Sequence, residues 1–276
     1  MRKPNVSEAT NEFIGLAIQC EHSEQPTFAG HAYIGAAKCE ATAGNFLGEA
    51  EQYLAAARQF MKAEKKLKEL KFYSPDREDL EAAIGCYLQA LGKYPEKSTL
   101  RTAILMEIAE NLVALNHKRE AVAYFEQALE TVEDKTRKIL FMRNLLNLQM
   151  ECGKFDEALE TANKMFDSNT LPDDIIAEVQ ISRVLLALLM QPNEDKQPVS
   201  LKQLLTDLLN DNESEAIPFN VDMQLKLQSM IMCCAIADIH TLISVASDLR
   251  PYLNISQTEL LEALLKEKRF QNLALA

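Results

Sequence analysis

The chain has 276 residues, 47% apolar and 25% charged, with only 8 glycines, 9 prolines and no tryptophan. So few turn-formers disfavour an all-β fold, and no apolar run reaches the ~20 residues that a bilayer-spanning helix needs. A net charge of −12 repels phosphate backbones, which sets nucleic acid aside as a partner and favours a basic protein surface.

Apolar residues recur at helical spacing from end to end, and this predicts about thirteen amphipathic segments. In chain order they cover 6–22, 27–43, 46–71, 76–93, 98–115, 118–133 and 135–152. They continue over 155–167, 173–190, 200–210, 218–236, 238–250 and 256–270. Within the fifth, Ile104, Leu105, Ile108, Leu112 and Leu115 fall on one stripe, with Glu107, Glu110 and Asn111 elsewhere on the circle. Pro26, Pro75, Pro95, Pro172 and Pro218 all fall at segment boundaries, where a ring lacking an N–H does least harm. Asn5 with Glu8 predicts a cap for the first helix, and Ser256 with Glu259 a capping box for the last. The gaps are mostly a few residues, as antiparallel neighbours require.

Internal repetition gives the architecture. Ala83, Tyr87, Ala90 and Pro95 resemble the second half of a tetratricopeptide repeat, where small residues let two helices approach, an aromatic fills the groove and proline stops the helix. A second copy is Ala121, Phe125 and Ala128, preceded by Leu105, Ile108, Ala109 and Leu112. A third opens with Gly153, Phe155 and Ala158, and a weaker fourth is Ala50, Leu54 and Ala57. The anchor alanines Ala50, Ala83, Ala121 and Ala158 lie 33, 38 and 37 residues apart, a small drift from the ideal of about 34. The expected fold is all-α, a tetratricopeptide-like α-solenoid of about thirteen antiparallel helices. Its repeats should occupy 1–190, and a C-terminal helical region over 191–276 should continue the solenoid. The polar, Pro-containing stretches 191–199 and 210–219 read as loops.

The chemistry-bearing residues form no constellation of nucleophile, base or metal ligands. His22, His31, His117 and His240 are scattered. The six cysteines, Cys20, Cys39, Cys86, Cys152, Cys233 and Cys234, lack a C-x-x-C pair, which argues against a disulfide framework or zinc site and for a reducing, intracellular compartment. No glycine-rich loop cradles a phosphate, so no enzyme, cofactor or metal is expected. Lys62, Lys65, Lys66, Lys68 and Lys71, with Arg58 upstream, read as a basic patch or as a solvated helix face, and the interleaved Glu64 and Glu69 favour the solvated face. Ile181 to Met190 is apolar on nearly all sides, so other helices or another protein must enclose it. Arg183 at its start is expected to reach outward to water, the alternative being an acidic partner. Residues 153–276 hold nine of the twelve excess negative charges. Within them Asp211, Glu213 and Glu215 are candidates for docking a basic surface, with solubility as the other reading.

Two elements resemble one family. Arg2-Lys3-Pro4-Asn5-Val6, followed by Glu8, Ala9 and Phe13, and the run Ser182-Arg183-Val184-Leu185-Leu186 ending in Gln191-Pro192 look like the family of the forty-kilodalton huntingtin-associated protein, the factor VIII intron-encoded A proteins. The repeats between them fit it as well; 200–276 matches only in helical layout. The resemblance implies a non-enzymatic subunit held equimolarly between the HEAT-repeat arms of huntingtin, and an effector of an early-endosomal Rab GTPase. It also implies cytoplasmic and early-endosomal residence, with a nuclear location as a further option. Arg2, Lys3, Arg183, Asp211, Glu213 and Glu215 are then the candidate partner-binding residues. The family carries a basic lead segment and a long Pro-rich insertion. Here Met1 directly precedes the first element and the connection from Ser168 to Asp173 is short, implying a compact, invertebrate-like member or a trimmed N-terminus. The competing reading is a membrane-fusion adaptor similar to the soluble attachment proteins that recruit a disassembly ATPase.

Overall fold

The computed structural model describes residues 5–72, 75–167, 171–192, 197–210 and 219–275. Among these it is all-α. The first six helices are α1 (Val6–His22), α2 (Pro26–Ala43), α3 (Phe46–Glu69), α4 (Glu78–Leu91), α5 (Thr99–Ala114) and α6 (Lys118–Thr131). The rest are α7 (Lys135–Glu151), α8 (Phe155–Asp167), α9 (Asp173–Met190), α10 (Val199–Asn210), α11 (Val221–Ile236), α12 (Ile239–Leu249) and α13 (Ile255–Leu275). They divide into two compact units, Met1–Glu133 and Asp134–Ala276.

In the first unit α1 packs on α2, α2 on α3, α3 on α4 and α5 on α6. The punctuation follows local chemistry. The Asn5 side chain accepts from the Glu8 N–H at the start of α1, Pro26 occupies the first turn of α2, and Gly44 ends α2 in the left-handed region at φ 77°. The anchors Ala50, Ala83 and Ala121 are fully enclosed, as are Tyr87, Ala90 and Ala128. Removing side-chain bulk at these contacts brings the helix axes together. At Gly30 the approach is closer still, since a Cβ there would stand 2.8 Å from the ring of buried Phe60. Ties then run from one helix pair to the next. Arg58 on α3 meets Glu107 on α5 at 2.8 Å, and Arg77, just before α4, meets Glu120 on α6 at 2.9 Å. These cross-links place α3/α4 and α5/α6 as successive helical repeats, in agreement with the tetratricopeptide-like pattern of the anchors.

The second unit begins in the same way, with α7 on α8 and α8 on α9, and then departs from sequential stacking. The last helix, α13, packs on α7 and α9 as well as on α12. Asn254 and Gln257 cap it reciprocally: Gln257 N–H donates to Asn254 Oδ1 at 2.8 Å, and Asn254 N–H to Gln257 Oε1 at 3.1 Å. The capping box therefore lies two residues before the Ser256/Glu259 pair expected from sequence. Ser256 instead turns inward and donates to Glu151 on α7 at 3.1 Å. The compact units divide at 133/134. Within the second unit α13 walls one side of α9, and buried residues from α7 to α13 form a single core.

Candidate partner-binding cleft

Within the first unit α3, α4 and α5 enclose a cleft of about 460 Å³ lined by Arg58, Met61, Lys62, Lys65, Lys66 and Glu69 from α3, Tyr87 from α4, and Glu107 and Asn111 from α5. The α3 residues recur three and four apart, so they form a single stripe along that helix. At the floor Arg58 holds Glu107 with two bonds of 2.8 and 2.9 Å, and the buried Tyr87 hydroxyl donates to the same carboxylate at 2.8 Å. Burial pushes the Glu107 carboxyl up, but the Arg58 and Tyr87 hydrogen bonds outweigh it and hold it below its ordinary range. The same pair raises the Arg58 guanidinium, and burial next to Glu107 raises the Tyr87 phenol far above its ordinary value. This triad is a charge-balanced floor.

Above it stand the lysines. Lys66 Nζ lies 3.1 Å from the exposed Glu24 carboxylate, while Lys62 and Lys65 have no ion-pair or hydrogen-bond partner among the described residues. Lys68 turns away and donates to the Ala114 carbonyl at 2.5 Å, where it caps the end of α5. The lysine run is thus divided. Three members face one cleft, whereas the sequence alone favoured a uniformly solvated face.

Arg183 is the one sequence-derived site residue that falls among the described residues; Arg2, Lys3, Asp211, Glu213 and Glu215 lie outside them. It does not reach outward. It is fully enclosed, and Nε donates to Asn163 Oδ1, Nη1 to Gln180 Oε1 and Nη2 to Ser200 Oγ, each at 2.8 Å. Ser200 passes the contact to Asp167 at 3.3 Å, and the guanidinium lies 4.5 Å over the Phe166 ring. Burial lowers its pKa to about 10, with Asp167 acting in the opposite sense. Neutral acceptors on α8, α9 and α10 supply what an outward path or an acidic partner was expected to supply, so the interface ion pair is replaced by intramolecular bonds. The apolar helix around Arg183 takes the first of its two expected enclosures, the chain's own helices. Val184, Leu185 and Leu186 are completely buried by the chain's own α8 and α13.

Two features escaped the sequence reading. Glu107 had no motif to mark it; the only available signal was its place off the apolar stripe of α5. The Glu178 hub was equally hidden, taking Arg143 at 2.5 Å and Asn254 at 3.0 Å across 76 residues. Burial raises the Cys86 thiol to about 11 and also raises Cys233 and Cys234, which keeps these thiols protonated. Among the described residues no group of three His, Cys, Asp or Glu is placed to hold a metal ion, and no helix is long and apolar enough to cross a membrane.

No known family model matches the chain, and neither does any curated protein. A solved structure described as "Functional Characterization of Pseudomonas Aeruginosa pilF" is similar at 16% identity, over 94% of this chain and 98% of that one, with a TM-score of 0.34. A likeness of that size adds nothing to what the helices themselves establish.

Proposed function

We propose that this chain is a non-enzymatic protein-interaction subunit, and that its partner is huntingtin, which it stabilises from a position between the HEAT-repeat arms. The observation that carries the interaction reading is the cleft of the first unit, where an Arg58–Glu107–Tyr87 floor lies beside Lys62 and Lys65, which have no ion-pair or hydrogen-bond partner among the described residues, and Lys66, which is held only by exposed Glu24. Stacked helical repeats present much surface for their size and hold it rigid, which suits partner binding. The choice of huntingtin is supported by the elements around Asn5 and around Ser182 to Leu186. The endosomal role as a Rab GTPase effector rests on the same resemblance.

Co-expression with huntingtin from the same organism tests this, followed by size-exclusion chromatography with light scattering at low salt and at roughly 0.5 M, where surface charges are mostly screened. An equimolar complex that survives both conditions is expected. Separate elution, with this chain monomeric, overturns the huntingtin assignment and directs attention to membrane-fusion complexes.

A further inference from the structure

We propose that the cleft between α3 and α5 binds an extended acidic segment of a partner protein, one that carries carboxylates on alternate residues. This deepens the interaction reading above and does not depend on the partner being huntingtin. From Arg58 to Glu69 the α3 stripe rises about 17 Å, which is the length of roughly five residues of extended chain. Lys62 and Lys66 are one helical turn apart, about 6 Å along the axis, and alternate residues of an extended chain are separated by about 6.7 Å. Carboxylates at that spacing match the axial spacing of the two lysines.

One lysine of the stripe already carries a carboxylate. Glu24, at the turn after α1, sits on Lys66 at 3.1 Å with its own side chain 81% exposed. So open an ion pair contributes little and exchanges readily for a guest carboxylate. Lys62 and Lys65 have no ion-pair or hydrogen-bond partner among the described residues, though Lys62 acts on Glu24 and Lys65 on Glu107 through space. Arg58 is unavailable, since Glu107 occupies its fork, and this leaves the cationic stripe to the three lysines against Glu69 and the exposed Glu24. On the opposite wall Asn111 spends one N–H on the Glu107 carbonyl at 2.7 Å, and its Oδ1 is an uncharged acceptor of the kind a peptide backbone uses. In a chain of net charge −12 such a stripe is an exception, so an acidic guest is repelled elsewhere and guided here. A lipid surface fits less well, because the ammonium groups line a cleft and are flanked by Glu24 and Glu69, not set on an open face.

Fluorescence anisotropy on the full chain tests the proposal, using a fluorescein-labelled peptide of about five Glu-Ser repeats, long enough to span the stripe. Binding is expected to weaken roughly ten-fold or more in the double variant Lys62→Ala, Lys65→Ala, and again on raising salt to about 0.5 M. Neither lysine has a hydrogen-bond or ion-pair partner among the described residues, so the variant should keep the thermal transition of the parent. Equal binding of a Gln-Ser peptide, unchanged affinity in the double variant, or capture of phosphatidylserine vesicles in place of the peptide would each overturn the proposal. The double variant is also carried through the huntingtin co-expression. A peptide that fails beside an intact complex removes this inference alone, and a peptide that binds without a complex removes only the huntingtin assignment.

Discussion

The two units solve the same packing problem with different materials. In the first, alanine dominates the helix contacts: Ala17, Ala29, Ala36, Ala37, Ala50, Ala56, Ala57, Ala83, Ala90 and Ala109 are all fully buried, and among the described residues only Thr10, Glu49 and Thr102 are buried polar side chains. In the second, buried alanines are few and the enclosed polar groups include Gln149, Asn163, Gln180, Ser182, Arg183, Ser256 and Gln257. They are linked. Gln257 Nε2 donates to the Glu178 carbonyl and to Ser182 Oγ, and the Gln149 amide accepts from Thr161 at 2.8 Å. Close approach of backbones tolerates no added volume, whereas a buried polar network tolerates no missing partner. The first unit should therefore be sensitive to size and the second to polarity.

Arg183→Ala tests this contrast with the largest effect. It strips Asn163, Gln180 and Ser200 of their common donor group and opens a cavity, at an expected cost of about 3–5 kcal/mol. Hydrogen exchange on the full chain should show the loss in α8–α10 and leave α2–α4 protected. Equal loss in both units would mean that the division is not energetic. Gly30→Ala probes the other side. A helical Gly→Ala change ordinarily stabilises by up to about 1 kcal/mol. Here the new methyl meets Phe60, which is 1% exposed and held edge-on by His31 at 5.2 Å. A net loss of about 1–2 kcal/mol is expected, read as a lower Tm; a raised Tm would show that the first unit has slack.

Glu107→Gln should have the smallest effect, about 1 kcal/mol at neutral pH, and it sharpens the contrast by placing a polar dependence in the alanine-rich unit. A carboxyl held below its ordinary value of 4.5 stabilises the fold above that value, and the contribution disappears as pH falls through the folded pKa. Urea midpoints of the parent and the variant should therefore converge as the pH is lowered below about 4.5. A constant gap would move the linkage to another group.

The same contrast explains how much of the molecule was legible in its sequence. Anchors such as Ala83 and Tyr87 announce themselves because a repeat imposes small and aromatic residues at fixed spacing, and helix ends at Asn5, Pro26 and Gly44 obey local rules. Arg183 could not be read in that way. Its partners Asn163 and Ser200 lie 20 and 17 residues away on other helices, and only the fold says that they converge. Ser256 misled for a related reason: its spacing from Glu259 suited a local cap, yet a partner 105 residues away claims its hydroxyl. The cleft was half legible, since the lysines were visible as a run while the Glu107 and Tyr87 floor depends on how α4 and α5 come to rest against α3.

The return of α13 to α7 and α9 also imposes an order on synthesis. Helices of the first unit meet neighbours that have just left the ribosome, so that unit can consolidate while translation continues. The second unit waits. Glu151 and Glu178 are made long before Ser256, Asn254 and Gln257, their partners across 105, 76 and 79 residues. Until the final helix is released, the apolar wall around Leu185 and Leu186 stands uncovered in the nascent chain. That interval is when chaperones or proteases would find it, and a message truncated before Ile255 makes the exposure permanent.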